Sequence, residues 1–326
     1  MIVQRPTRRR FLRLMAGAAG MSLLPAGSDG PVAQTYDWEG RALGASARIT
    51  VHGSDRRRLQ ADLRQVLDEV ARLERSFSLF DPESEISRLN RDGEVRGASL
   101  DFRALINEAL QLASATAGTF DPTIQPLWRL YADAFAAGGP PGRLAIDEAL
   151  SLVDFHAVEV FGATVRFARP GMALTLNGIA QGYITDRAAD LLRRLGYDRV
   201  LVQLGETAAR APREGNPWRI GLPHPSQAGV LVGQFDVSDG AVATSSGAAT
   251  RFDKDGGYHH LLDPKGGASP THWQSVSVQA ERATLADGLS TALAIAPEQR
   301  LHDIVRAFPK ARVFTFSATG IARYFG

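Results

Sequence analysis

The stretch Leu176–Leu204, LNGIAQGYITDRAADLLRRLGYDRVLVQL, holds the two periodicities from which the fold is read. From Gly182 to Leu195 the apolar positions recur at helical spacing, and Gly196 supplies the residue that most easily ends a helix. Arg199–Leu204 then runs apolar over a strand's length. Downstream, Arg219–Gly221, Val230–Val237, Gly240–Thr244 and Gln274–Ala280 read as strands. Phe252–Leu262 reads as a hairpin turning at Lys254-Asp255-Gly256-Gly257, and Leu285–Ala296 as a helix. A helix ending at Ile304–Phe308 follows, then a hairpin of Val313–Phe316 and Ile321–Phe325 around Gly320. Upstream, Tyr36–Val51 alternates like a strand and breaks at Gly44, and Arg57–Ser76 places Leu59, Leu63, Val66, Leu67, Val70 and Leu73 on one helical face. Phe102–Thr116 is a helix closed by Gly118, and Pro140-Pro141-Gly142 separates Leu127–Ala137 from a helix at Ile146–Leu152. Val158–Phe161 and Val165–Phe167 are short strands with Gly162 between them. Strands and helices mix without a regular β-α-β rhythm, so the expected fold is α+β, with residues 34–326 as one domain.

The first 33 residues read differently. Thr7-Arg8-Arg9-Arg10-Phe11-Leu12-Arg13 leads into the weakly apolar run Leu14–Leu24, too short to span a bilayer. A paired arginine before Phe-Leu reads as a twin-arginine export signal, with cleavage near Ala26 or Ala33; the same residues also fit an ordinary basic arm. Five arginines against Asp29 give this segment +4, which leaves −2 for the rest of a chain whose net charge is +2. The basic character therefore sits in the signal, and no nucleic-acid footprint remains. Cysteine is absent, which excludes a disulfide framework, a thiolate metal site and a thiol nucleophile.

Five constellations carry chemistry, one of them made of two stretches. In Ala286-Asp287-Gly288-Leu289-Ser290-Thr291 a carboxylate and a hydroxyl lie four apart on one helix face, hard oxygen ligands suited to Mg²⁺ rather than zinc. The same spacing suits a plain structural role, with Asp287 favouring a helix start and Thr291 bonding back to the chain. Leu176-Asn177-Gly178-Ile179-Ala180-Gln181-Gly182-Tyr183 opens a helix with glycines that let an anion approach backbone N–H groups, or that simply make a tight strand-to-helix turn. Val242-Ala243-Thr244-Ser245-Ser246-Gly247 offers small hydroxyls for a phosphate or ribose, and Tyr258-His259-His260-Leu261-Leu262-Asp263 offers a general base. Adjacent histidines on a strand face opposite ways, so one of the pair faces the site; a surface pair on an edge strand fits as well. Ser76–Asn90, with Phe80, and Gly118-Thr119-Phe120-Asp121-Pro122-Thr123 present an aromatic and a proline-fixed carboxylate, or merely anchored loops.

In this order, from Leu43-Gly44 to Thr291, these segments resemble the ApbE family of FAD:protein FMN transferases. The resemblance implies an α+β fold around a central FAD-binding cleft, with Mg²⁺ on the FAD pyrophosphate. By position, Asp287, Thr291 and the carbonyl of Gly178 match the metal ligands. Leu43, Phe80, Thr119, Phe120, Asp121, Thr175, Gln181 and Leu261 fall at flavin-nucleotide contacts, and His260 matches the histidine implicated in catalysis. The family often has an acidic residue at Thr175, Lys or Glu at Gln181, and a Gly-Gly pair at Gly205-Glu206. Gln181 within Asn177–Arg187, and a twin-arginine signal without a lipid-bearing cysteine, look like the NosX branch, associated with nitrous oxide respiration. That implies a periplasmic protein acting on FAD and on a membrane-bound acceptor flavoprotein with a periplasmic flavin domain. Two other functions stay open on the same residues: an FAD pyrophosphatase, and a flavin-binding maturation factor without catalysis.

Overall fold

The computed structural model describes residues 34–43, 45–53, 55–211 and 215–326. The export signal expected in residues 1–33, its cleavage near Ala26 or Ala33, and the break at Gly44 lie outside them. Strand β1 (Gln34–Ala42) pairs antiparallel with β2 (Ala45–Gly53). Helix α1 (Arg56–Phe77) follows, its first N–H groups at Arg57 and Arg58 donating to the Asp55 carboxylate. Its buried stripe is Leu59, Leu63, Val66, Val70, Leu73 and Phe77; Leu67, expected on that face, sits half-buried at its edge. Helix α2 (Glu85–Asp92) starts where the Ser87 N–H donates to the Ser84 hydroxyl. It buries Ile86 and Leu89, so the Ser76–Asn90 segment is part helix rather than only a loop.

Next come β3 (Glu94–Val95) and helices α3 (Leu100–Ala115), α4 (Gln125–Ala137) and α5 (Arg143–Leu150). Strands β4 (Val158–Phe161) and β5 (Thr164–Phe167) join β3 in a small sheet of order β3-β5-β4. Helix α6 (Ala180–Arg194) leads into β6 (Val200–Gln203) and β7 (Thr207–Arg210). Strands β8 (Trp218–Pro223) and β9 (Leu231–Val237) form a separate ribbon, before β10 (Asp239–Ser245) and β11 (Trp273–Ala280). Helices α7 (Ala283–Ile295) and α8 (Glu298–Ala307) and strands β12 (Arg312–Ser317) and β13 (Ala322–Phe325) complete the order.

The main sheet, β1-β2-β6-β7-β10-β11-β12-β13, is antiparallel at every joint. Its central strands are buried on both faces. Val200, Val202, Ala208 and Ala241 pack toward the helices, while Leu201, Ala209 and Val242 pack toward the β8–β9 ribbon with Ile220, Leu222 and Phe235. That two-sided burial is why β6 reads as a continuous apolar run. It also hides β7, which the periodicity does not reveal: all four residues of Thr-Ala-Ala-Arg are buried, without alternation and with two alanines of low strand preference. The expected hairpin over Phe252–Leu262 is a turn rather than a ladder. Asp253 accepts the N–H groups of Gly256, Gly257 and Tyr258, and only the isolated bridge Arg251–His259 joins the flanks. The Asp253 side chain closes this turn together with backbone bonds from Phe252 N–H to the Tyr258 carbonyl and from His260 N–H to the Thr250 carbonyl. The α+β architecture is as expected.

Candidate functional site

Helices α6 and α7 cross in close contact, and each lends a carboxylate to the start of the other. Asp186, on α6, accepts the N–H groups of Ala283 (2.8 Å) and Thr284 (2.9 Å) and the Thr284 hydroxyl (2.7 Å) at the first turn of α7. Asp287, on α7, accepts the Gly182 N–H (2.9 Å) in the first turn of α6. Neither helix has a capping side chain of its own at Ile179 or Arg282. The orphan N–H groups that a helix start leaves are thus satisfied across the crossing, with negative charge at the positive end of each dipole. Gly182 permits it: a Cβ there would stand 2.2 Å from the Ala283 carbonyl oxygen and 2.8 Å from the Asp287 Cβ.

This crossing forms one wall of a cleft that opens to solvent. Phe120, Asp121, Thr175, Gly178, Gln181, His260, Leu261, Asp287 and Thr291, all read from the sequence as candidates, line it together. Leu43, Phe80 and Thr119 do not. Leu43 is buried in the β1–β2 turn with φ of 52°, and Thr119 is buried beside Phe120 with its hydroxyl unpaired. Phe80 lies in a separate surface hollow with Leu79, Pro82 and Arg129.

Asp287 and Thr291 are one helical turn apart, as their spacing predicts. The Thr291 hydroxyl is 3.4 Å from the Gly178 carbonyl oxygen and 3.4 Å from the Ser245 hydroxyl, which in turn lies 2.8 Å from that of Ser290. Gly178 needs no side chain here, since a Cβ would press within 3.1 Å of Thr291. A carboxylate, a hydroxyl and a backbone carbonyl converge, the hard oxygen set that Mg²⁺ takes. Among the described residues, no group of three or more His, Cys, Asp or Glu gathers as a metal cluster. Burial drives the Asp287 carboxyl upward in pKa; the Gly182 N–H offsets part of that shift, and the Asp186 charge adds to it.

Glu206 joins this wall and was not a candidate from its residue type or spacing. It sits beside Gly205 (φ 100°) in the bend between β6 and β7. Its carboxyl is held well above the ordinary range, by burial first and by the Asp287 charge second, while the Thr244 N–H lowers it. Two buried polar atoms of the cleft lining, Glu206 Oε2 and Gln181 Nε2, have no hydrogen-bond partner. The departure from a Gly-Gly pair was the available signal, but nothing in the sequence placed that bend against α7.

The opposite wall holds the two histidines, facing different ways. His259 is buried, its Nε2–H donating to the Pro270 carbonyl (2.8 Å). His260 faces the cleft, with Nδ1 donating to the Thr250 carbonyl (3.2 Å), so Nε2 carries the lone pair. Desolvation pulls its pKa down to about 4. Asp121 is fully engaged: Oδ1 accepts the Thr123 N–H (2.8 Å) and hydroxyl (2.6 Å), and Oδ2 the Phe155 N–H (3.3 Å). Burial raises its pKa against these bonds. It shapes the loop that presents Phe120 to the cleft.

A model of the ApbE family matches residues 43–315. The FAD:protein FMN transferase of Treponema pallidum is 30% identical over 301 residues, covering 82% of this chain and 80% of the relative. That of Vibrio cholerae is 29% identical over 293 residues, covering 85% and 86%. Among solved structures, the apbe protein of Thermotoga maritima has a TM-score of 0.80 at 29% identity, covering 89% of this chain and 96% of that one. The flavin transferase ApbE of Vibrio cholerae has a TM-score of 0.74 at 25% identity, covering 90% and 97%.

The crossing makes a stability prediction opposite to helix propensity. In an exposed helix Gly→Ala gains up to about 1 kcal/mol; Gly182→Ala should instead lose about 1–3 kcal/mol by overpacking against Ala283. Asp186→Asn should lose a similar amount, about 1–3 kcal/mol, because a charged acceptor of three bonds is weakened. Urea unfolding measures both, and a Gly182→Ala protein as stable as the parent contradicts the packing described. The His260 imidazole should stay neutral from about pH 5 to 8, since its pKa near 4 lies below that window. Histidine ¹⁵N resonances followed through a pH titration would show it; a His260 midpoint near 6.5, its unperturbed value, contradicts the desolvation.

Proposed function

The chain belongs to the ApbE family, and on that premise we propose that it is an FAD:protein FMN transferase that moves FMN from FAD onto a Thr or Ser hydroxyl of an acceptor protein. The observation that carries this reading is the cleft itself. It gathers Asp287, Thr291, the Gly178 carbonyl and His260, with its basic Nε2, around one space. Asp287, Thr291 and Gly178 would hold Mg²⁺, which when bound supplies positive charge against the FAD pyrophosphate. Thr244, Ser245 and Ser246, with Phe120 and Trp128, line the remaining walls and fit a phosphate-bearing, flat ligand.

The reaction is a displacement at phosphorus. The acceptor hydroxyl oxygen forms a bond to the FMN-side phosphorus, the bond from that phosphorus to the bridging oxygen breaks, and AMP leaves with the bridging oxygen. His260 Nε2 takes the hydroxyl proton. Because this imidazole is neutral throughout the physiological range, its proton-accepting form is always populated. The product is a phosphoester-linked flavin. Read with its arginine-rich leader, the protein is exported by the twin-arginine route and acts in the periplasm. Its acceptor there is a membrane-bound flavoprotein, and the NosX-like features of the sequence connect it with nitrous oxide respiration.

Purified protein mixed with FAD, Mg²⁺ and a candidate acceptor should give covalent flavin on the acceptor and free AMP. Free FMN with AMP and no labelled acceptor would mean a pyrophosphatase, and unchanged FAD a binding factor. Asp287→Asn keeps an acceptor for the Gly182 N–H, so the fold should survive while transfer falls on the order of 10³-fold or more. His260→Ala should keep FAD affinity and slow transfer about 10²- to 10⁴-fold; equal rates in mutant and parent would remove His260 from the chemistry. Replacing Arg8, Arg9 and Arg10 together with Lys should hold folded precursor in the cytoplasm, and unchanged export on fractionation would refute the twin-arginine route.

A further inference from the structure

We propose that Glu206 is a second carboxylate ligand of the cation site, so that this cleft binds a divalent ion through Asp287 and Glu206 together before any nucleotide enters. The inference rests on reading Asp287, Thr291 and the Gly178 carbonyl as the cation's oxygen set. Glu206 is only 4% exposed and Asp287 5%, yet both line the cleft, and among the described residues neither makes an ion pair. The Glu206 Oε2 is left without a hydrogen-bond partner. Strand β7 pairs with β10 so that Thr207 lies opposite Val242; Glu206, one residue earlier, therefore lies along the part of β10 that leads to Ser245, whose hydroxyl stands 3.4 Å from that of Thr291.

The bend that delivers Glu206 is held in place. The Leu204 N–H donates to the Glu206 carbonyl (3.0 Å), and Gly205 adopts a φ of 100°. The Gln181 side chain lies over Gly205 so closely that a Cβ would come within 2.8 Å of its amide. Any other residue at 205 would both strain the backbone and displace Gln181, so the turn has one way to lie. Two buried carboxylates facing one space repel each other unless a positive charge stands between them. A divalent cation with oxygen preference meets that need, and it would use the oxygen of Glu206 that now lacks a partner. Mg²⁺ and Mn²⁺ both fit the donor set.

The test uses the intact protein freed of flavin, with Mn²⁺ as the probe, its binding read by electron paramagnetic resonance and by the metal-induced rise in Tm. The parent should bind Mn²⁺ without FAD, and Mg²⁺ should compete. Glu206→Gln preserves size and removes the charge. It should raise the Mn²⁺ Kd by about tenfold or more and shrink the metal-induced rise in Tm, while its metal-free Tm equals or exceeds that of the parent. Unchanged Mn²⁺ affinity in Glu206→Gln overturns the proposal, and does so most clearly if FAD affinity falls instead, which would make Glu206 a nucleotide contact. A parent that binds no Mn²⁺ at millimolar metal overturns it too. Mn²⁺ held through Glu206 by a protein that fails to label any acceptor would sink the transferase reading and leave this one standing.

Discussion

The reciprocal capping of α6 and α7 is the constraint on which the site depends. Each helix starts without a capping side chain of its own and is completed by a carboxylate from its neighbour, Asp186 in one direction and Asp287 in the other. The two sets of bonds fix the helices in translation and rotation together, because a shift that kept one set would break the other. Gly182 lets the backbones meet at this point, and the fixed crossing then sets Thr291 beside the Gly178 carbonyl. Asp287 therefore serves twice, with one oxygen on the Gly182 N–H and the other available to the cleft. The cation site proposed here, built from helix starts, would inherit the rigidity of the core behind it.

The rest of the cleft is arranged around that fixed wall by electrostatics. Two buried carboxylates stand on the crossing side, and a desolvated, neutral imidazole stands on the other. Separation matters for the chemistry proposed: an imidazole beside these carboxylates would be drawn toward its cationic form and lose the lone pair that accepts a proton. Here the Thr250 carbonyl fixes the tautomer, with the lone pair on Nε2. Asp121 has no part in this division, because all its bonding goes to Thr123 and Phe155.

Local patterns carried much of this into the sequence. The Asp287–Thr291 spacing, the glycines before α6 and the opposite facing of His259 and His260 all follow from one helix or one segment, and each is visible without tertiary structure. Asp186 was legible only as a residue of a helix, since its role is to cap a different helix 97 positions away. Glu206 was legible only as a departure from a Gly-Gly pair, because its nearness to Asp287 depends on β7, a strand too fully buried and too rich in alanine to show a strand's alternation. Phe80 and Leu43 mark the opposite limit. Matching by position put them with the flavin, whereas in the chain alone they sit away from the cleft, in a surface hollow and in a buried turn.

We propose that the α6–α7 crossing builds the place where cation and pyrophosphate meet. A crystal of the protein grown with Mn²⁺ and FAD tests it most directly, through the anomalous signal of the metal. The account predicts one strong peak about 2.0–2.6 Å from Asp287 Oδ1, Thr291 Oγ1 and the Gly178 carbonyl oxygen, with the FAD phosphates on its open side. A peak elsewhere, or FAD bound with its phosphates away from the crossing, would contradict it.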